Sequence, residues 1–226
     1  AVLGVLAEKV ENMIVASADL SNSDKTDGFL KKTRAISKED MGGRFLQPGV
    51  CEFTMACIMN GMALHGGIVP ACGTFFVFSD YMKPALRLSA LMRLPVKFIW
   101  THDSFRVGED GPTHQPVEHE AQLRLMEQLR NHEGERSVVV LRPADARETV
   151  AAWKIAMEEQ RPTALVLSRQ NIKDLPTLGG SRAEEAMQAV KGAYIVMDCE
   201  GKPDVILLAS GSEVATLGDG AEKLKA

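Results

Sequence analysis

Aromatic side chains are scarce in this sequence, at 5% of its residues, and no apolar run reaches the length of about 18 residues that a membrane-spanning helix needs. No charged-then-apolar leader opens it, so it reads as unexported, with the cytoplasm as its expected location. Its four cysteines, Cys51, Cys57, Cys72 and Cys199, contain no C-x-x-C pair, which argues against a zinc site or a disulfide framework and for reduced thiols. Neither charge sign dominates: the net charge is −4, with both signs scattered, so neither a nucleic-acid stripe nor a polybasic membrane patch is expected. The partner left by these absences is a small molecule or another subunit.

What is present is 226 residues, 45% hydrophobic and 25% charged, enough for one full globular domain plus a remnant. Short Val- and Ile-rich runs alternate with longer stretches of helical period, the rhythm of a parallel sheet covered by helices. Strands are predicted at Met13–Ala18, Ile68–Cys72, Val96–Thr101, Val138–Leu141 and Ala164–Ser168, and helices at Glu52–Leu64, Ser79–Leu91, Glu118–Arg130 and Ala144–Glu159. The strands are near-continuously apolar, as strands buried on both faces are; Lys97 interrupts one of them. The predicted fold is a three-layer α/β/α domain with a mostly parallel sheet, followed by a truncated α/β segment. Pro176, Gly179 and Gly180 break the rhythm. That sets expected boundaries of 1–175 for the domain, 176–190 for a linker and 191–226 for the start of another domain. In that last segment two strands, Gly192–Asp198 and Asp204–Ser210, and a helix, Glu213–Lys225, are predicted. The first residue is not Met, and the last ones lie inside a helical pattern, so both ends read as cut.

The segment richest in chemistry is Thr101-His102-Asp103-Ser104 followed by Gly108-Glu109-Asp110-Gly111-Pro112-Thr113-His114-Gln115-Pro116-Val117-Glu118. It leaves the carboxyl end of a predicted strand, where open α/β sheets place their ligands. Glycines and a proline would fix an irregular loop in which His102, Asp110 and His114 converge on a polar ligand. A solvated turn with incidental histidines is the alternative, since no metal-binding spacing such as H-x-x-x-H is present.

These two stretches resemble the substrate loop of transketolases, and neighbouring segments match that family in the same order. They are Ser17-Ala18-Asp19-Leu20, Gly49-Val50-Cys51-Glu52-Phe53, Thr74-Phe75 through Tyr81, and Ser168-Arg169-Gln170-Asn171. The likeness covers about residues 13 to 172 and implies the thiamine diphosphate-binding pyrimidine domain. By this resemblance Glu52 is the catalytic glutamate, which holds and exchanges a proton at the cofactor's ring nitrogen. Its neighbours Val50, Cys51, Phe53, Met55 and Ala56 predict an apolar setting. A first-turn glutamate favouring a helix N-terminus is the bland alternative. Phe75, Phe78 and Tyr81, at three-residue spacing, are implied to enclose the pyrimidine, where an aromatic pair contributes about 0.5–1.5 kcal/mol beyond area burial. Asp19 and Leu20 match cofactor-lining positions.

His102 and His114 are implied to handle substrate protons, Asp110 to bind a donor hydroxyl, and Ser23 and Arg169 to hold the phosphate of a sugar phosphate substrate. Arginine's planar fork suits that last task, though Ser21-Asn22-Ser23-Asp24-Lys25 departs from the family's Pro-Ser-Asn pattern. Cofactor diphosphate and Mg2+ need oxygen ligands, in this family a Gly-Asp-Gly followed by Asn about two dozen residues later. The only Gly-Asp-Gly, Gly218-Asp219-Gly220, falls in the terminal helical pattern and is rejected. Metal ligands are therefore expected on the family's preceding domain, and none on this chain. The implied parent is a homodimer with an active site shared between subunits. It would transfer a two-carbon ketol unit between sugar phosphates in the pentose phosphate pathway, and this chain alone is expected to be inactive. The rivals are a 1-deoxyxylulose-5-phosphate synthase-like enzyme and a noncatalytic split subunit or interaction module. The loop Asn131–Arg136 is expected to be exposed and receives no role.

Overall fold

A computed structural model describes residues 1–104 and 106–224. The chain divides into two compact units, Ala1–Leu141 with Glu159–Arg169, and Arg142–Glu158 with Gln170–Ala226.

The first unit holds the whole sheet. Its strands are β1 (Met13–Ser17), β2 (Phe45–Leu46), β3 (Val69–Phe75), β4 (Lys97–Thr101), β5 (Val139–Leu141) and β6 (Thr163–Leu167). They run in the order β2-β1-β3-β4-β6-β5, and every neighbouring pair is parallel. Parallel strands need crossover connections, and the covering helices bury both faces, which is why β3 and β4 carry hardly a polar residue in alternation. The sheet is therefore the parallel α/β arrangement expected from the rhythm of the sequence. The helices of this unit are α1 (Val2–Lys9), α2 (Asp27–Leu30), α3 (Glu52–His65), α4 (Lys83–Met92) and α5 (His119–Gln128). One core cluster joins Met55 and Met59 of α3, Leu86 of α4, Leu123 of α5, and Phe98 and Trp100 of β4. Full burial of each such side chain contributes about 1.5–3 kcal/mol. Asn60, polar and buried, is held by the Ala85 carbonyl at 2.9 Å and by the Ser89 hydroxyl, which donates to its Oδ1 at 2.6 Å.

Four local expectations need correction. The predicted helix Ser79–Leu91 is a 3-10 turn, Phe76–Tyr81, followed by α4, because Pro84 has no N–H to continue a helix begun earlier and fits only its first turn. Strand β2 was not anticipated: two residues are too short to show a period. The segment Gly192–Ser210 forms no strand; its apolar residues Val205, Ile206 and Leu208 are exposed, and a strand needs a neighbour to satisfy its backbone. Finally, the stretch 176–190, read as a connection, also carries a short helix at Arg182–Ala186.

The second unit comprises α6 (Ala146–Glu158), α7 (Arg182–Ala186) and α8 (Glu213–Leu224). Ser181 caps α7, and Ser181 and Glu184 form a capping box, a signature visible in the sequence as Ser-x-x-Glu. Buried Arg182 ties α7 to the start of α6 through Asp145 Oδ2 at 2.6 Å and Glu148 Oε1 at 2.7 Å. Asp219 lies inside α8 and pairs with Lys173 at 2.9 Å. Lys225, the expected end of that helix, lies outside the described residues.

Candidate functional site

Because all six strands are parallel, their carboxyl ends share one edge, and the chain departs from that edge under strain. Among the described residues four non-glycine positions have positive φ, and three of them, Asp19 (63°), Lys25 (64°) and His102 (62°), lie in the loops leaving β1 and β4. The left-handed region costs an L-residue roughly 1–2 kcal/mol, and such strain gathers at functional sites. The β1 loop is pinned from within by buried Asp24, which accepts from Ser17 Oγ at 2.6 Å, Thr26 N at 2.9 Å and Thr26 Oγ1 at 2.6 Å.

Between these loops and the start of α3 lies a cavity of about 450 Å3, within the range of small-molecule sites. It is lined by Ala18, Asp19 and Leu20 after β1, by Val50 and Glu52 at the start of α3, and by Phe78, Tyr81 and His114. Glu52 is 8% exposed, and its carboxylate forms no hydrogen bond or ion pair with any described residue. Of its apolar neighbours, Met55 and Ala56 are buried, whereas Val50 and Phe53, also expected to enclose it, are exposed.

The aromatic residues form a ladder. Phe78 stacks on Tyr81 at 6.2 Å and on Phe75 at 5.9 Å, nearly coplanar in direction with an interplanar angle of 9°. Phe75 in turn stacks on His102 at 3.7 Å, and His114 meets the Phe78 ring edge-on at 5.4 Å. Phe75 is itself buried and backs the wall formed by Phe78 and Tyr81.

Each histidine is paired through Nδ1 with the preceding threonine hydroxyl, His102 with Thr101 and His114 with Thr113, both at 2.9 Å. With the hydroxyl donating, the neutral ring keeps its proton on Nε2. Burial above all, with the Arg169 cation and smaller contributions from Lys25 and His114, holds the His102 pKa down to about 4 against the opposing pull of Asp110. His102 is thus a neutral donor and acceptor at physiological pH. A Cβ on Gly108, whose φ of +83° favours glycine, would lie 3.4 Å from the Arg169 guanidinium, so the head group of Arg169 sits close to this glycine. Ser23 is exposed and is not part of the cavity wall.

Sequence reasoning thus named Asp19, Leu20, Glu52, Phe78, Tyr81 and His114, all of which line the cavity. Phe75 and His102 form its backing, and Asp110 and Arg169 act on His102 electrostatically. It overlooked Asp24 and Lys25, although the positive φ of Lys25 leaves no trace in a single sequence. Ala18 and Val50, quoted only within the matching motifs and, for Val50, as an apolar neighbour of Glu52, also line the cavity.

The family model for the transketolase pyrimidine-binding domain matches residues 1–174 of this chain. The chain belongs to that family. It is 50% identical to a transketolase of Halalkalibacterium halodurans over 225 residues, 99% of this chain and 32% of that protein. A transketolase of Pichia stipitis, solved in complex with sedoheptulose 7-phosphate, superposes with a TM-score of 0.86 at 38% identity, covering 99% of this chain and 32% of the other. A split-gene transketolase described as an inactive beta4 tetramer matches 76% of this chain and half of its own length, with a TM-score of 0.57 and 30% identity. The chain therefore spans about a third of the length of the curated relatives it matches.

Proposed function

We propose that this chain supplies the pyrimidine-binding and sugar-recognition part of a thiamine diphosphate-dependent transketolase, acting on sugar phosphates of the pentose phosphate pathway in the cytoplasm. The observation that carries the reading is Glu52: a buried carboxyl with no protein partner, opening on a cleft faced by Phe78 and Tyr81. An aminopyrimidine fits that donor set: Phe78 and Tyr81 would hold its flat ring, and Glu52 would meet its ring nitrogen. Bound there, thiamine diphosphate would supply the electron sink needed to move a two-carbon ketol unit from a ketose phosphate to an aldose phosphate.

The chain's own residues have distinct tasks. Glu52 holds and exchanges a proton at the ring nitrogen. Phe78 and Tyr81 bind the ring and exclude water, and Asp19 and Leu20 line the same cavity. His102 and His114, each hydrogen-bonded through Nδ1 to a threonine hydroxyl, hold or move protons at substrate hydroxyl and carbonyl oxygens. Asp110 accepts from a donor hydroxyl, and Arg169, with Ser23, holds the phosphate. The residues that bind the diphosphate and Mg2+ belong to the family's other domain, and the working assembly is a homodimer with shared sites. The pyrimidine domain is assigned to residues 1–175, with 176–190 as a connection and 191–226 as the start of the next domain.

The test is calorimetric titration with thiamine diphosphate and magnesium, then a donor screen, using a chain of the relatives' full length that carries these residues. Ketol transfer from a ketose phosphate is expected, and use of pyruvate instead would place the protein with the deoxyxylulose phosphate synthases. The 226-residue chain alone is expected to show no transfer. A second reading, a noncatalytic subunit, draws support from the likeness to the split-gene protein. It wins if the native protein from cells has the mass of this chain and no activity.

A further inference from the structure

Behind the aromatic wall lies a cluster that does not touch the cavity. His119, the first residue of α5, is buried, and its Nε2 lies 3.1 Å from the Val77 carbonyl oxygen and 3.1 Å from Asp80 Oδ2. Both acceptors belong to the 3-10 turn Phe76–Tyr81, which carries Phe78 and Tyr81. The His119 ring meets Phe76 edge-on at 5.7 Å. Lys83, two residues past the turn, donates to Asp80 and, across the gap, to Gln122 of α5. A 3-10 turn is poorly held by its own hydrogen bonds, so its placement depends on outside support. Here that support comes from a side chain 42 residues further along the chain.

We propose that His119 is a positioning residue: by donating from Nε2 to the Val77 carbonyl it fixes the seat of the Phe78 and Tyr81 rings and so sets the affinity for the cofactor's flat ring. The proposal rests on reading the cavity as an aminopyrimidine site. The helix α5 begins five residues after His114, the last residue of the preceding turn. Asp80, Glu118 and His119 also offer ligand atoms within 4.8 Å of one another. A metal is disfavoured there, because the Lys83 ammonium already occupies the Asp80 carboxylate. The two ring nitrogens also face different carboxylates, Nε2 toward Asp80 and Nδ1 toward Glu118 at 3.8 Å.

The test uses His119→Leu, which fills the space without a donor, and His119→Gln, whose amide nitrogen falls near the place of Nε2. Both are made in a chain of the relatives' full length carrying these residues. Thiamine diphosphate affinity is read by calorimetry, the sugar phosphate KM and the kcat at saturating cofactor by steady-state assay, and the turn by deuterium exchange over residues 76–81. His119→Leu is expected to weaken cofactor binding roughly tenfold and to speed exchange in the turn. KM for sugar phosphate and kcat should stay within about twofold, and His119→Gln should recover most of the affinity. Unchanged affinity in His119→Leu, or a Gln variant no better than Leu, overturns the proposal. Should His119→Leu not fold, the Gln variant decides alone: near-native affinity supports the role and a tenfold loss refutes it. If the unsubstituted protein does not bind thiamine diphosphate, the reading of the cavity falls and this proposal falls with it.

Discussion

The two edges of the parallel sheet are built to opposite standards. At the amino edge polar groups are satisfied: Asn12 donates to the Gly67 carbonyl at 2.8 Å, and buried Lys97 to the Glu159 carbonyl at 3.0 Å. Arg161 grips the Glu159 carboxylate through two bonds of 2.8 and 2.6 Å. At the carboxyl edge the backbone is strained at Asp19, Lys25 and His102, and among the described residues Thr74 Oγ1 and Ser79 Oγ are buried without a partner and Glu52 is unpaired. One edge is closed by its own hydrogen bonds, and the other leaves polar groups without a partner among the described residues. The largest expected effect follows from that difference. Glu52→Gln should lower transketolase activity at least about 100-fold, the lower bound for loss of a general acid–base group, in the assay of the full-length form. Its melting temperature should stay unchanged, because no protein contact is lost. A large drop in stability would instead make Glu52 an ordinary structural carboxyl.

The carboxyl edge also depends on a close approach that only glycine permits. A Cβ on Gly73 of β3 would lie 2.6 Å from Thr26 Cγ2 and 3.2 Å from Asp24 Oδ2. Gly73→Ala therefore pushes on the two residues that pin the β1 loop, and should cost about 1–3 kcal/mol, the usual price of overpacking. Denaturant melts give the stability change, and cofactor titration should show weaker binding, since Asp19 and Leu20 lie in the displaced loop. Loss of stability with unaltered binding would separate the pin from the site.

Much of this contrast was legible beforehand, and the exceptions have physical causes. The strands of β1, β3, β4 and β6 were visible because burial on both faces demands uninterrupted apolar runs. Glu52, Phe78, Tyr81 and His114 were visible through motif resemblance, which carries spatial information that periodicity lacks. Gly192–Ser210 misled because Val- and Ile-rich runs register as strands whether or not a neighbour exists to pair with them. His119 and Asp24 stayed hidden: their importance lies in partners 42 and 7 residues away, and no local pattern announces such contacts.

Titration separates the two edges by pH window, with stability rising with pH in both. For His102 the folded pKa is about 4 against 6.5 when exposed. Between those values the unfolded chain takes up a proton that the folded one refuses, so its effect is to lower stability as pH falls from 6.5 toward 4. Lys97 is also depressed by burial, to about 8 from 10.5. Between pH 8 and 10.5 the unfolded chain retains a proton that the folded one has released, so its contribution to stability rises with pH in that window. Urea midpoints across both ranges should show His102→Asn flattening the acid slope and Lys97→Met flattening the alkaline rise. A Lys97→Met profile parallel to the unsubstituted one above pH 8 would show that Lys97 does not titrate there.

The smallest effect tests whether strain itself marks the site. The fourth non-glycine residue with positive φ, Arg93 at 55°, ends α4 in the left-handed conformation, where helices prefer glycine. It faces no ligand; its guanidinium meets Glu133 at 2.6 Å and Glu135 at 2.9 Å, all three partly exposed. Exposed pairs contribute about 0.2–1 kcal/mol, and relief of a left-handed arginine about 1–2 kcal/mol. Arg93→Gly should therefore raise stability, by no more than about 1 kcal/mol, with activity unchanged. His102→Gly relieves the same strain but removes the ring that stacks on Phe75, so it should lose activity. If both substitutions stabilised the chain and left activity intact, the strain at the carboxyl edge would be incidental to the site. A gain at Arg93 alone would tie the strain at His102 to what its side chain does there.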